Sequence, residues 1–403
     1  MLRRDEIQAA GELAGEALGG VGAIVRDVHR GVTGRVFGAL GAVAAPVRLA
    51  HDGIATLVHA SVRATLSAVP RGGGRALALT APDDGAPLTD DPRGAFALAA
   101  LNGMWGDRIA RDHAPLALGL DLRVDGEASR KVVVFVHGLC ETDAAWRLGG
   151  GPTYGERLRE DLGHTSVYAR YNTGRHISDN GRALAAALDE LVEGGHVPVD
   201  ELVLVGHSMG GLVARSACHY GEKDGHAWTQ ALRHVVCLGS PHMGAPLERA
   251  AARGSHWLSR LPETAPLARV LTVRSAGVKD LRYGACLEED WQGVDPDEWG
   301  PDRCADFPFL PSATYHYVGA TVARDKDSRL GRLIGDVLVQ FPSASGDGPL
   351  RKLAFEIDHG MHVGGANHLQ LLNHPRVYAQ LLRWLTGSRE GGALPAAPAP
   401  AGR

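Results

Sequence analysis

The chain has 403 residues, enough for two or three domains or for one large domain with insertions. Hydrophobic residues make up 44% and charged residues 22%, which excludes a largely disordered chain and a coiled coil. The net charge of -4 argues against a nucleic-acid partner, because it provides no overall attraction for a polyanion. Five cysteines are too few for a disulfide scaffold. With neither a secretory leader nor a long apolar run in sight, we expect a cytoplasmic location.

Residues 1–70 predict an amphipathic helical region. From Ile24 to Val69, apolar side chains recur every three or four positions, with a break at Pro46. Residues 21–70 also hold five arginines and two aspartates, a local net charge of +3. Two interpretations stay open. The helices either pack on the main domain or a second subunit, or they lie peripherally on a membrane through residues 20–70.

Composition divides the rest of the chain. Residues 71–94 are rich in Pro, Gly and Asp and predict a linker, after which residues 95–386 form the globular domain. Within that domain, residues 244–312 are too long for a simple crossover and contain several prolines, so we predict an inserted cap. The Gly-, Ala- and Pro-rich end, residues 387–403, predicts a disordered tail.

Predicted strands and helices alternate along the globular domain. The β-branched run Lys131–Val136 is typical of a parallel strand that is buried on both faces. Other strands are predicted at 116–124, 165–171, 201–205, 234–238, 315–319 and 352–357, and helices at 96–109, 177–193, 209–220 and 369–386. This alternation predicts an α/β fold with a mostly parallel sheet, helices on both faces and right-handed crossovers.

The segment Gly206–Gly210 fits the pattern G-x-S-x-G between a predicted strand and a predicted helix. A sharp turn of this kind lifts a serine hydroxyl above the sheet, and the helix N-terminus favours developing negative charge. We therefore favour Ser208 as a nucleophile over an incidental serine in a glycine turn. The oxyanion needs donors, and we predict an oxyanion hole formed by the amides of Leu139 and Met209. His137, in the same loop as Leu139, is interpreted as a structural residue.

Three segments resemble the α/β-hydrolase superfamily, and within it the bacterial lipase and esterase branch. They are Val134–Leu139 with the sequence V-F-V-H-G-L, Gly206–Gly211, and Gly239–Pro246, which is similar to the lipase segment G-[ST]-P-H-x-G. The resemblance covers about residues 115–386. It implies the α/β-hydrolase fold and ester hydrolysis through a Ser-Asp-His triad and an acyl-enzyme.

The resemblance also implies where the acid of the triad lies, which is after the sixth predicted strand. Asp325, Asp327 and Asp336 qualify by position. Gly335–Val339 is similar to the lipase segment G-D-x-x-V, which favours Asp336. Val337 stands where such lipases often carry glycine.

The base should lie just before the last helix, and the resemblance favours His368. The neighbouring histidines that remain open are His359, His362 and His374. A zinc site built from this cluster would need an acidic or cysteine ligand at metal spacing, which the sequence lacks. We predict neither a metal nor an organic cofactor.

The cap segment 280–306 contains nine acidic residues and two arginines, together with three aromatic residues, Tyr283, Trp291 and Trp299. Its charges predict either a solvated outer face or an acidic rim that disfavours anionic substrates. Its aromatic residues predict either a cap core or the lining of a pocket for an apolar acyl or alcohol group. Cys286 and Cys304 also lie in this segment and are candidates for a disulfide.

These observations predict a serine carboxylic-ester hydrolase, lipase- or esterase-like, acting on an apolar small-molecule or lipid ester. Thioesterases, polyester depolymerases and peptidases use the same parts and stay open as alternatives. Enzymes of this fold with an aspartate nucleophile are disfavoured, because Ser208 occupies that position. A non-catalytic binding protein is a further alternative, although such members usually lack one residue of the triad.

Overall fold

The computed structural model describes residues 2–194, 199–246, 248–249, 254, 258, 265–266, 272–298, 300, 302–348 and 351–387. The strands are β1 (Asp121–Asp125), β2 (Lys131–Val136), β3 (Thr165–Arg170), β4 (Glu201–His207), β5 (Leu232–Leu238), β6 (Thr314–Thr321) and β7 (Gly360–Gly364). They form one seven-stranded sheet in the order β1-β3-β2-β4-β5-β6-β7. Strand β1 is antiparallel to β3, and all other neighbours are parallel.

The α-helices of the described residues are α1 (Arg4–Leu40), α2 (Ala45–Ala78), α3 (Pro92–Asp112), α4 (Tyr154–Leu162), α5 (Ile177–Glu193), α6 (Met209–Asp224), α7 (Trp228–Ala231), α8 (Ala276–Asp280), α9 (Arg329–Ile334), α10 (Phe341–Ala344) and α11 (Pro375–Thr386). Alternate residues of β2 enter different cores. Val134 packs with residues of α5 and α6, whereas Phe135 packs with residues of α4 and α11. The sheet is therefore covered on both faces, which confirms the predicted fold class.

The predicted strand at 352–357 is wrong, because the last strand of the sheet is β7, a few residues later. Its sequence, Gly-Met-His-Val-Gly, carries a glycine at each end, which weakens the strand signal. Gly360 is required by packing, since a Cβ there would lie 2.2 Å from the ring of Tyr317. The strand predicted at 116–124 likewise forms only from Asp121 onward.

The N-terminal region is a hairpin of α1 and α2. Helix α2 contains Pro70 and the following three glycines and ends at Ala78, so residues 71–78 are helical and not the linker we predicted. Of these glycines, Gly74 serves helix packing, because a Cβ there would lie 2.8 Å from the Cα of Gly11, whereas a Cβ on Gly72 or Gly73 would have no neighbour within 4 Å. None of the described helices combines the length and the hydropathy needed to span a membrane.

The base of this hairpin packs on the globular domain. Ala9 of α1 joins a small core with Leu98 and Ile109 of α3. Glu16 of α1 forms an ion pair with Arg108 of α3 at 3.0 Å. The proposed division of the chain into four regions stays a prediction, and residues 388–403 of the predicted tail lie outside the described residues.

The predicted cap, residues 244–312, is described only in part. Its described portion contains α8 and a 3-10 turn at Glu288–Asp290. Cys286 and Cys304 are both free thiols, so the candidate disulfide is not formed. Several acidic residues of this segment pair with cations, namely Glu288 with Arg182, Asp297 with Lys279 and Asp302 with Arg351. Because these carboxylates are neutralised by neighbouring cations, the segment is better described as a charge-balanced surface than as an acidic rim.

Candidate active site

Ser208 lies on a strained turn between β4 and α6. Its backbone has φ 53° and ψ -123°, a conformation that residues other than glycine rarely adopt. The glycines around it permit the close approach of other chain segments, because a Cβ on Gly210 would lie 2.1 Å from the carbonyl oxygen of Val136. The turn resembles a nucleophile elbow in its geometry, and it places the serine at the carboxyl edge of the sheet.

Asp336 and His368 form a buried pair. Asp336 Oδ2 lies 2.7 Å from His368 Nδ1, and the two residues are 1% and 3% exposed. Asp336 Oδ1 accepts hydrogen bonds from the amides of Leu338 at 3.0 Å and Val339 at 2.7 Å. Because the carboxylate accepts a hydrogen from Nδ1, the lone pair of the neutral imidazole is on Nε2.

The Nε2 atom of His368 is buried and has no hydrogen-bond partner among the described residues. His368 and Ser208 line the same cavity, and Gly239 makes room for the imidazole ring, since a Cβ there would lie 3.0 Å from His368 Cε1. The hydroxyl of Ser208 is the chemically suitable partner for this nitrogen. A hydrogen bond between them is not formed in the free protein, and catalytic hydrogen bonds often tighten only with substrate bound.

The other candidate acids and bases lie elsewhere. Asp325 and Asp327 are in an exposed loop, where Asp327 pairs with Lys326 at 2.8 Å. The remaining three histidines have other neighbours: His359 Nε2 lies 3.5 Å from Glu356, His362 Nε2 lies 2.7 Å from Thr321 Oγ1, and His374 caps α11. Only the favoured residues, Asp336 and His368, are brought together with Ser208.

The two amides predicted to bind an oxyanion are both unused within the described residues. On either side of Leu139, the amide of Gly138 donates to Glu141 at 2.7 Å and that of Cys140 donates to Thr173 at 3.2 Å. Neither Leu139 nor Met209, at the first position of α6, donates its amide to a described acceptor. Unsatisfied amides beside a cavity are suited to bind a negatively charged oxygen.

His137 does not line the cavity of Ser208. Its ring stacks on Tyr171 with 4.4 Å between centroids, and its Nδ1 lies 3.0 Å from the carbonyl oxygen of Gly138. Burial lowers the pKa of His137, which keeps the imidazole neutral. These contacts agree with a residue that shapes the loop before Leu139.

Sequence reasoning missed a buried ion pair between Glu141 and His207. Glu141 Oε2 accepts from His207 Nδ1 at 3.1 Å, and His207 Nε2 donates to the carbonyl oxygen of His368 at 3.2 Å. Because both partners only accept, both ring nitrogens carry hydrogens and His207 is an imidazolium. The pair links the loop of Gly138, the serine turn and the loop of His368. No motif identifies it, since the only signal is one carboxylate three residues after Gly138.

The electrostatic environment of the pair agrees with this charge assignment. Burial raises the pKa of Glu141, but the charge and hydrogen bond of His207 outweigh it and hold the pKa at about 2. Burial lowers the pKa of His207, and Glu141 outweighs it in turn, so that this pKa is raised overall. Each member of the pair therefore shifts the pKa of the other towards its charged form.

The cavity at Ser208 has a volume of about 700 Å³ and a mostly apolar lining. Helix α3 supplies part of this wall through Phe96, Ala99 and Ala100. The resemblance starts only near residue 115 and gave no indication of this contribution. One ion pair, Glu248 with Arg274 at 3.1 Å, also lies in the wall, and burial raises the pKa of Glu248 to about 7.

The aromatic residues of the cap do not line this cavity. Tyr283 and Trp291 line a separate cavity of about 310 Å³, and Trp291 stacks on His176 with 3.7 Å between centroids. The interpretation that they form the pocket of Ser208 is therefore wrong for these two residues, and Trp299 lies outside the described residues. Sequence could not assign them, because the path of a long insertion depends on tertiary packing. Among the described residues, no group of three or more His, Cys, Asp or Glu side chains is arranged to hold a metal ion.

Comparisons with known proteins add a family match. Residues 127–263, about a third of the chain and a segment that includes Ser208, match the PGAP1-like alpha/beta domain family. No curated protein sequence matches the chain.

Several solved structures are similar to it. The mature lipase BlEst2 from Bacillus licheniformis has 19% identity and a TM-score of 0.41, over 66% of this chain and 97% of that chain. A lipase-esterase related protein from Clostridium acetobutylicum has 12% identity and a TM-score of 0.37, over 66% and 99% of the two chains. The type II thioesterase YbtT of the yersiniabactin pathway has 15% identity and a TM-score of 0.38, over 66% and 98%.

The strand order of the sheet, the strained serine turn between β4 and α6, and the family match over residues 127–263 point the same way. The chain has an α/β-hydrolase fold, and its residues 127–263 are similar to the PGAP1-like alpha/beta domain family.

Proposed function

We propose that this protein is a serine carboxylic-ester hydrolase of the lipase or esterase type, with Ser208, Asp336 and His368 as its triad. The observation that carries the proposal is the buried contact of 2.7 Å between Asp336 and His368, together with the position of His368 in the wall of the cavity that Ser208 also lines. A carboxylate that fixes one imidazole nitrogen leaves the other available as a general base.

The mechanism follows from these positions. His368 Nε2 takes the proton of Ser208 as its Oγ attacks the ester carbonyl, and Asp336 stabilises the imidazolium that forms. The amides of Leu139 and Met209 bind the tetrahedral oxyanion. Collapse of this intermediate breaks the ester bond, the alcohol leaves with the proton from His368, and an acyl group stays on Ser208. Water, activated by His368, then attacks the acyl-enzyme and releases the carboxylic acid.

An apolar ester fits the site best. The cavity of about 700 Å³ is large enough for a sizeable acyl or alcohol group. Four apolar side chains of its lining are also exposed to solvent, Phe96, Leu148, Leu338 and Leu369. The one arginine of its described lining, Arg274, lies 3.1 Å from Glu248 and 3.4 Å from Asp297, so the lining provides no isolated cation for a substrate anion.

A p-nitrophenyl ester series from acetate to palmitate tests the proposal, with Ser208→Ala as the paired variant and Ser240→Ala as a matched serine control. We expect turnover that Ser208→Ala abolishes and Ser240→Ala retains, and the chain-length optimum will separate an esterase from a lipase. A fluorophosphonate probe should label the wild type and not Ser208→Ala. A folded protein that is neither labelled nor active on any ester contradicts the proposal. Labelling without ester turnover would indicate that the triad acts on thioesters or peptides instead of esters.

A further inference from the structure

The outer part of the N-terminal hairpin, residues 21–70, exposes most of its apolar side chains. Of the 17 Val, Ile, Leu and Phe residues in this segment, 13 are exposed: Val21, Val25, Val32, Val36, Leu40, Val43, Val47, Leu49, Ile54, Leu57, Val58, Val62 and Val69. In a helix pair stabilised by water exclusion, such side chains face the partner helix. Here they face solvent instead.

Polar residues occupy the seam between the two helices of this outer hairpin. His59 Nε2 lies 3.2 Å from His29 Nδ1, and the ring centroids of His29 and His51 are 5.2 Å apart. Phe37 contributes one aromatic ring, 5.4 Å from His51. The helices thus place histidines between them and branched aliphatic residues outside, which is the reverse of the usual soluble arrangement.

The charge of this segment distinguishes between two possible binding partners for its exposed apolar surface, a second copy of the chain and a lipid bilayer. Residues 21–70 carry +3, which leaves -7 for the remaining 353 residues. Arg30, Arg48 and Arg63 are exposed among the apolar side chains. A second copy would bring two cationic surfaces together, whereas an anionic bilayer offers both an apolar interior and negative headgroups.

We propose that the outer hairpin binds the surface of an anionic lipid bilayer, with its tip at Gly41–Leu49 entering the apolar boundary. The tip carries the most exposed apolar side chains of the segment, Val43 at 93% and Leu49 at 78%. Aliphatic side chains surrounded by arginine are the composition that lies at lipid interfaces. This inference goes beyond the proposed hydrolase activity and does not depend on it.

Flotation of the full-length protein with vesicles tests the inference. We expect the wild type to float with vesicles of phosphatidylcholine and phosphatidylglycerol, and less with phosphatidylcholine alone. The variant Val43→Glu/Val47→Glu/Leu49→Glu should lower the partition coefficient at least about tenfold, because buried aliphatic groups supply the attraction. The matched control, Val124→Glu/Val294→Glu/Val322→Glu, changes exposed valines of the globular domain and should float like the wild type. Arg30→Gln/Arg48→Gln/Arg63→Gln should remove the preference for phosphatidylglycerol.

Circular dichroism and light scattering on the same samples complete the test. If the tip variant loses helix content, Val43→Ser/Val47→Ser/Leu49→Ser replaces it and should also reduce flotation. Unchanged flotation of a folded tip variant overturns the inference, and so does a wild type that floats with neither vesicle. A wild-type dimer that the tip variant dissociates would assign the surface to a second copy instead. Ester turnover, measured in parallel, reports separately on the proposed function.

Discussion

The carboxylate of Asp336 accepts three hydrogen bonds, two from the amides of Leu338 and Val339 and one from His368. We predict that Asp336→Asn lowers kcat about 10⁴-fold, because an amide group in this position stabilises the wrong imidazole tautomer. Steady-state kinetics on the best p-nitrophenyl ester measure this loss. Asp327→Asn, in the exposed loop, is the control and should leave kcat unchanged; equal losses in the two variants would argue against Asp336 as the acid.

The ion pair of Glu141 and His207 gives a second prediction about individual residues. Glu141→Gln removes the negative charge that keeps His207 protonated, and the loops of Gly138 and His368 lose their common anchor. We expect kcat to fall by about 10- to 100-fold with a smaller change in KM, because the pair holds the loops of Gly138 and His368 in position. Glu127→Gln, in an exposed turn, is the control for a carboxylate without such contacts.

The pH dependence of stability distinguishes this pair from a merely structural contact. The raised pKa of His207 stabilises the fold fully below its ordinary value of 6.5 and loses that effect as pH rises through the raised value. The lowered pKa of Glu141 stabilises the fold above 4.5 and loses that effect as pH falls to about 2. The difference in unfolding temperature between wild type and Glu141→Gln should therefore be largest from about pH 4.5 to 6.5 and shrink on both sides. A difference independent of pH would contradict the ion pair.

At the scale of elements, the hairpin depends on where its glycines lie. Gly11 meets the backbone of α2, whereas a Cβ on Gly20 has no neighbour within 4 Å. We predict that Gly11→Ala destabilises the hairpin by about 1–3 kcal/mol through overpacking, and that Gly20→Ala stabilises it by about 0.5–1 kcal/mol through helix propensity. Thermal unfolding followed by far-ultraviolet circular dichroism compares them. If both variants shift in the same direction, the close approach of α1 and α2 is not formed.

Elements with a strong local signal were predictable from the sequence. The run Lys131–Val136 and the helix 177–193 form with the predicted boundaries, because β-branched runs and a clear 3.6-residue period need little tertiary context. The start of the predicted linker, residues 71–78, and β7 were misread for one reason. Glycine signals a turn locally, yet Gly74 and Gly360 are glycines because another element approaches them closely.

At the scale of the whole molecule, the candidate triad was accessible from sequence because its motifs follow strand ends in a fixed order. The Glu141–His207 pair and the α3 wall of the cavity were not, since both bring together segments that are far apart in the chain and carry no motif. The pKa values of Glu141 and His207 and the apolar character of the cavity wall depend on burial, which arises only when the domain is assembled.

The separation of charge between hairpin and globular domain gives the prediction at this scale. Raising the salt concentration from about 0.01 M to about 1 M shortens the Debye length from about 30 Å to about 3 Å. We expect flotation with phosphatidylglycerol vesicles to decrease over this range, while turnover of p-nitrophenyl acetate stays constant because a neutral ester carries no charge for salt to screen. A parallel fall of both would place the salt effect in the globular domain.

Helix α3 contributes to two parts of the protein at once, with Phe96 in the cavity wall and Leu98 and Ile109 under the hairpin base. The segment that carries the lipase-like motifs begins after α3 and alone would lack one wall of the cavity at Ser208. The segments on either side of residue 112 are therefore not exchangeable modules. Cutting the chain at that point would separate the candidate triad from one wall of its cavity, so we expect residues 113–386 alone to expose Leu116 and Leu118, which pack on α3 in the full chain.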